Sequence, residues 1–391
     1  MYYTTRAQVH HYARQLLACC LGLRDFSAAC TVGVMLNVLF AACARLVSLA
    51  CAALSLATAP SRETIRKAWL AQLSTRDQLL RRLNNCLSAN LPRYLCRRRQ
   101  RIAIDLTLIP YHGQPMLDLS EVFRSKARDG TSHFHAYATA YVNYRGQRYT
   151  LAMTCVERGE KMEEVLKRLL ARLSKLGVAA SMLLLDRGFW SVAVIRYLQA
   201  ARRPFLMPVV LRGRAAGHPE GPGGTRVFAL WRASGWGQYT LTSAEGRRAT
   251  VSICVHCRNL NGERRRHGRE ALVYGYWGIR PSSTGWVRET YRTRFAIETS
   301  YRQMQQGRAR TATRNPLVRL LLVGVALVLR NVWVWLHYAV LSTPRRGNAL
   351  LNLELLSLKD LLLWLQHQAE HELGLCDVIE AERPFPSLPN F

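Results

Sequence analysis

The spacing of apolar and polar positions changes character near residue 100. Before it, apolar residues recur at helical intervals and strand-like runs are scarce, so residues 1–98 read as a helical region. Residues 28–57 form one helical stretch. Pro60-Ser61-Arg62-Glu63-Thr64 then offers a cap to a helix running into Ile65-Arg66-Lys67-Ala68-Trp69-Leu70. A short helix, a turn and this second helix suit a helix-turn-helix DNA reader and a plain helical bundle equally well. After residue 100 strands take over. Residues 101–109 are an apolar run that reads as a buried strand, and 133–143 and 147–156 alternate across a turn at Tyr144-Arg145-Gly146. Met162, Val165, Leu166, Leu169, Leu170 and Leu173 recur at helical spacing. A strand over 181–185, a helix over 191–201 and a strand over 204–210 follow.

From 211 the texture changes again. The loop Gly217-His218-Pro219-Glu220-Gly221-Pro222-Gly223-Gly224 precedes strand-like runs at 225–231, 237–243, 248–256 and 271–279, which together suggest a β-rich insertion. Helices are expected over 286–306, 315–342 and near 350–371. A tail with Pro384, Pro386 and Pro389 ends the chain, and no internal repeat is visible. Three strands in a meander, then helix, strand, helix and strand, is the order of an RNase H-like fold. That predicts an α/β protein with a mixed sheet, whose first and fourth strands lie side by side.

Composition narrows the class. A chain of 391 residues, 49 % hydrophobic, can bury a sizeable core and is not a disordered polyelectrolyte. It carries 55 Lys and Arg against 25 Asp and Glu, a formal net charge of +30, so a polyanionic partner is expected. Most of that charge is Arg, which grips phosphate in bidentate fashion and stacks on bases. Eleven Cys, an odd number without framework spacing, point to reduced thiols and a cytoplasmic, nucleoid-associated location. Cys254-Val255-His256-Cys257, with His267 nearby, has metal-ligand spacing. Strand positions three apart face opposite sides, which favours ordinary core cysteines. The polar start Met1-Tyr2-Tyr3-Thr4-Thr5-Arg6 does not read as a secretory signal. Asn37 and Arg45 interrupt the apolar stretch 27–58, and Arg319, Arg330 and Asn331 interrupt 316–342. Both therefore read as buried helices, and no membrane partner is expected.

Three acids carry the candidate chemistry. Asp105 lies in the first strand, Asp186 follows Met182-Leu183-Leu184-Leu185, and Glu298 lies in a later helix. Two carboxylates at strand ends and a third on a helix can hold a pair of hard divalent cations, which clamp the attacking and leaving oxygens of a phosphodiester. Tyr291, Arg294, Glu298, Arg302 and Gln305 succeed one another by three or four residues, so they share one helical stripe. Guanidinium groups beside a carboxylate keep it charged and can hold phosphates. Thr107 either bonds the Asp105 carboxylate or packs in the strand, and Arg187 either contacts DNA or pairs with Asp186. Asp118 is a lesser competing acid, and Glu160, Glu163 and Glu164 read as a solvated helix face. Trp231, Trp236, Trp277 and Trp286 either stack on a flipped base or belong to the core.

Tyr291-x2-Arg294-x3-Glu298 resembles the Tyr-Arg-Glu-Lys signature of DDE transposases from bacterial and archaeal insertion sequences. The expected Lys is replaced by Gln305, with Arg302 and Arg308 the candidates to stand in. Asp105-Leu106-Thr107-x2-Pro110-Tyr111-x-Gly113 is similar to the first catalytic motif of one branch, and Leu185-Asp186-Arg187-Gly188-Phe189 to the second. The resemblance covers roughly 100–340. It implies an RNase H-like catalytic domain with two Mg²⁺ or Mn²⁺ ions that cuts element ends and joins the freed 3′-hydroxyl to target DNA. Asp105 would bridge both ions, with Asp186 and Glu298 holding one each. Tyr291, Arg294, Arg302, Arg187 and Arg308 would contact DNA. Double-stranded DNA, as element ends and target, is then the partner. No small-molecule substrate is expected, and a homodimer is expected in the DNA complex. The implied division is 1–98 helical DNA-binding domain, 99–210 first part of the core, 211–285 insertion, 286–345 second part of the core and 346–391 helical C-terminal region. An RNase H-like DNA nuclease without strand transfer and a catalytically inactive DNA-binding protein remain alternatives.

Overall fold

The computed structural model describes residues 3–144, 147–215, 217–259, 269–345 and 348–378. Helices come first: α1 (Arg6–Leu21), α2 (Val32–Arg45), α3 (Leu49–Leu54), α4 (Arg62–Gln72), α5 (Arg76–Ser88) and α6 (Tyr94–Arg97). Thr5, Thr31, Ser48, Ser61 and Thr75 start the first five, each side-chain oxygen accepting a backbone N–H of the first turn. The expected helix over 28–57 is two helices, because Leu46 takes a left-handed conformation after α2 and Ser48 caps α3.

Strands follow: β1 (Gln100–Pro110), β2 (Phe123–Arg128), β3 (Thr131–Tyr144) and β4 (Gln147–Val156). Then come α7 (Met162–Lys175), β5 (Ala180–Leu185), α8 (Val192–Ala200) and β6 (Phe205–Pro208). The segment 211–285 adds β7 (Gly235–Thr242), β8 (Arg248–Asn259) and β9 (Arg269–Trp277). Among the described residues these strands build one nine-stranded sheet, ordered β2-β3-β1-β5-β6-β9-β8-β7, with β4 also paired to β3. β1 runs antiparallel to β3 and parallel to β5, and β6 runs parallel to β5. β9 then joins β6 antiparallel, so the strands of 211–285 continue the same sheet. The run 225–231 is not the expected strand but a 3-10 helix, Gly224–Leu230. The Thr225 hydroxyl donates to the Val210 carbonyl at 2.7 Å and accepts from the Arg212 N–H at 2.8 Å, which folds the segment back on itself.

The C-terminal part contains α9 (Thr284–Arg292), α10 (Ala296–Gln306), α11 (Pro316–Ala339) and α12 (Leu358–Leu373). The expected helix 286–306 is split by a 3-10 turn, Thr293–Phe295. The Thr293 hydroxyl donates to the Thr290 carbonyl there, at 2.7 Å. α7 and α8 pack on one sheet face with Leu166, Leu169, Ile195 and Leu198, while α9 covers the other with Val287 and Tyr291. A third core joins α1, α2 and α5 to α11 and α12.

By length and composition α11 is apolar enough to cross a membrane, yet 83 % of its most apolar window is buried inside the protein. Two of its polar residues, Arg330 and Asn331, have partners there. Asn331 accepts from the Thr150 N–H at 3.0 Å and donates to the carbonyls of Thr150 and Leu87 at 2.8 and 3.1 Å, tying α11 to β4 and α5. Arg330, 1 % exposed, donates to the Arg148 carbonyl, Gln303 and the Tyr141 hydroxyl. Asn37 in α2 is similarly matched, to His10 at 2.8 Å and Glu372 at 2.9 Å. The turn residues Arg145 and Gly146, His267 and the tail with Pro384, Pro386 and Pro389 lie outside the described residues.

Candidate active site

Strand order brings the first two acids together. The parallel register pairs Ile104 with Leu185, so Asp105 and Asp186 are the next residues on neighbouring strands. Asp105 remains within β1 and is buried, whereas Asp186 lies just past β5 and is half-buried. Asp186 also caps the 3-10 turn Arg187–Phe189. Glu298, on the first turn of α10, is exposed.

One side chain joins all three. Arg294, 4 % exposed, donates through Nη1 to Asp105 Oδ2 at 2.7 Å and through Nη2 to Glu298 Oε1 at 2.8 Å, with Asp186 Oδ1 at 3.8 Å. The rings of Tyr291 and Phe295 lie 5.4 and 5.2 Å from its guanidinium carbon. Burial works against this charge, but Tyr291 and the carboxylates of Asp105, Asp186 and Glu298 outweigh it and hold the guanidinium pKa above its ordinary value. Asp105 also accepts from the Leu106 N–H at 2.8 Å. Burial pushes its carboxyl up to about 6 against the pull of Arg294, and the nearby Asp186 charge adds to the rise.

Two tyrosines fix the helices over the strand ends. The Tyr291 hydroxyl donates to the Leu185 carbonyl at 3.3 Å, and that of Tyr301 to the Asp105 carbonyl at 2.8 Å. Tyr301 has a single hydroxyl proton, so Thr139, 2.7 Å away and opposite Asp105 in the β1–β3 register, donates to it. Neither Tyr301 nor Thr139 stood out from the sequence. The available signal was position, since Tyr301 falls three residues after Glu298 on the same helix face.

The expected DNA contacts divide into two groups. Tyr291, on α9, and Arg294, in the 3-10 turn, are buried and engaged inside the protein, not presented to a duplex. Arg302, Arg187 and Gln305 are exposed, and Arg308 is half-buried. No ion pair among the described residues joins Arg187 to Asp186, whose ionic partner is Arg294. Arg308 donates through Nε to Gln305 Oε1 at 2.8 Å, so it stands beside the position where a Lys was expected. Thr107 is buried, and the Asp105 carboxylate takes its bonds from Leu106 and Arg294. Asp118 caps a 3-10 turn at Leu119–Glu121. Trp231, Trp277 and Trp286 are half-buried, while Trp236 is 45 % exposed on β7. Cys254 is buried on β8, and Cys257 bonds the Trp231 carbonyl.

Among the described residues no three acids, histidines or cysteines stand close enough to hold a metal ion directly. Arg294 fills the space between the carboxylates. The donor set is nevertheless all carboxylate oxygen, the kind a hard divalent cation takes, and a cationic group already stands at its centre. The residues fit such ions in kind, while the position among them is taken by Arg294.

No family model matches the chain, and comparison with curated proteins finds no match. Comparison with solved structures finds the cryo-EM structure of a piggyBac transposase synaptic complex with hairpin DNA, at a TM-score of 0.47 and 12 % sequence identity. The alignment covers 97 % of this chain and 78 % of that one. A likeness at that score carries no argument.

Proposed function

We propose that this protein is a DNA transposase of the DDE type, with an RNase H-like catalytic core, acting on double-stranded DNA in the cytoplasm. The observation that carries the reading is the meeting of Asp105, Asp186 and Glu298 around one guanidinium, from a strand, the end of its parallel neighbour and a helix far along the chain. The antiparallel β4-β3-β1 unit, followed by β5 and β6 in parallel, supports the RNase H-like assignment. Asp105, Asp186 and Glu298 would hold two Mg²⁺ or Mn²⁺ ions. Such ions, when bound, activate the attacking oxygen and neutralise charge on the leaving one. Tyr291 and Tyr301 hold the acid-bearing elements together, and exposed Arg302 and Arg187 grip phosphate beside the acids. The net charge of +30 supplies sequence-independent affinity for the duplex.

The test uses labelled element ends with Mg²⁺ or Mn²⁺, scoring nicked and joined products separately. Asp105→Asn, Asp186→Asn and Glu298→Gln should each lower cleavage about a thousandfold or more, a loss of roughly 4 kcal/mol, while DNA binding stays nearly intact. Substantial cleavage by any one variant removes that residue from the site. Wild-type protein that nicks native ends but never joins them is a nuclease, the alternative reading of the same acids.

A further inference from the structure

Arg294 is the least ordinary residue of the site, and three observations describe it. It is buried, yet it is the only cationic side chain that bridges all three acids among the described ion pairs. Its Nε is buried with no hydrogen-bond partner, so the guanidinium is only partly satisfied where it lies. It sits in the 3-10 turn between α9 and α10, beside Phe295, which is 46 % exposed.

A bridge between parts of the fold does not require this arrangement. The tyrosine bonds to the Leu185 and Asp105 carbonyls already tie the helices to the strands on either side of Arg294. What the guanidinium supplies is charge. Asp105 and Asp186 each follow the paired residues Ile104 and Leu185, and without a cation their carboxylates repel each other and Glu298. A divalent ion placed among the same oxygens meets the guanidinium at contact distance, where like charges repel strongly. Joint occupancy is therefore disfavoured.

We propose that Arg294 is a resident counter-cation, which holds the acid trio before divalent ions bind and is displaced from Asp105 and Glu298 when they do. This rests on the reading that the trio binds divalent ions. The exit is short. Asp186 and Glu298 have side chains 40 and 48 % exposed, so the guanidinium leaves toward solvent on their side while the two tyrosine anchors stay in place. Once free it offers its donors to a phosphate at the same edge of the sheet. Ion loading and the grip on DNA are thereby coupled through one side chain.

The experiment measures Mn²⁺ binding to DNA-free protein by electron paramagnetic resonance, for wild type, Arg294→Gln, Arg294→Lys and Glu298→Gln. Arg294→Gln removes the competitor and should bind Mn²⁺ on the order of tenfold tighter, the factor set by about 1.4 kcal/mol. Arg294→Lys retains a cation and should stay near wild type. In chelator, Arg294→Gln should melt below wild type, and Mn²⁺ should raise its midpoint more than it raises that of wild type. Equal or weaker Mn²⁺ affinity in Arg294→Gln overturns the proposal. A crystal of wild type soaked in Mn²⁺ serves as a second measurement where Arg294→Gln fails to fold. An ion among the acids with the Arg294–Asp105 pair broken supports displacement, and an ion there with that pair intact overturns it. Wild type that binds no Mn²⁺ beyond Glu298→Gln removes the functional reading itself, a result distinct from tight binding that Arg294 does not influence.

Discussion

A carboxylate inside an apolar strand is costly to bury, which is why Asp105 stands out among Ile102, Ile104 and Leu108 in the sequence. Asp186 and Glu298 are legible for related reasons, one closing an apolar run and the other lying on a stripe with Tyr291 and Arg294. The inward placement of Arg294 was not legible, because helical spacing gives a face without saying what that face meets. His135 is another residue whose state depends on the fold. It is buried against Tyr111, its Nε2 lacks a partner, and burial, aided by the Arg319 charge, lowers its pKa to about 4. The folded state thus keeps it neutral, while the unfolded chain protonates it near its ordinary value of about 6.5. As pH falls through that value, the unfolded state takes up a proton that the folded state refuses. Stability is then lost progressively down to about pH 4, by at most about 3 kcal/mol. Asp105, raised to about 6, contributes in the opposite sense over part of this range. The measurement is therefore the difference between wild type and His135→Gln in urea midpoint at pH 7.5 and 4.5. The wild type should lose more stability than the variant, and parallel losses would contradict a neutral buried His135.

Elements with a strong period appear where the pattern placed them: α7 over its Leu ladder, β1 and β5 as apolar runs, α11 as a long apolar helix. Weakly patterned elements do not. β2 is an exposed edge strand with no apolar alternation to announce it, and 225–231 is apolar enough for a strand but is bent by Thr225. The break at Thr293–Phe295 depends on a side-chain bond that periodicity does not register. α11 carries its own explanation in Asn331, whose amide meets both backbone groups of Thr150 and the Leu87 carbonyl. Asn331→Leu keeps the volume but leaves three buried backbone groups without that partner. An unsatisfied buried group costs about 1–3 kcal/mol, so a loss of about 3 kcal/mol or more is expected in urea unfolding. A loss below about 1 kcal/mol, within the range of a conservative core exchange, would mean that the three groups find other partners.

For the whole molecule, the nine-stranded sheet carries Asp105 within β1 and Asp186 just past β5, and the chain has a net charge of +30. Such a field attracts DNA but does not distinguish a nuclease from an enzyme that retains its product. Retention needs contacts close to the break. Arg302 meets that need: it is exposed on α10, one turn beyond Glu298, and its one bond among the described residues is a long 3.4 Å contact to the Thr299 hydroxyl. It has no acidic partner among the described ion pairs, so a phosphate gains the guanidinium without breaking a salt bridge. Arg302→Ala should leave first-strand nicking close to wild type while weakening retention of the cut end by about 1.5–3 kcal/mol, the value of a charged hydrogen bond. Strand transfer then falls further than nicking does, and the ratio of joined to nicked product is the quantity to measure. A distant basic residue such as Arg66, which is occupied with Glu63 on α4, provides the control. Arg66→Ala should move both products together through overall affinity. If Arg302→Ala does the same, Arg302 contributes only to the general field, and the grip on the cut end must come from elsewhere in the site.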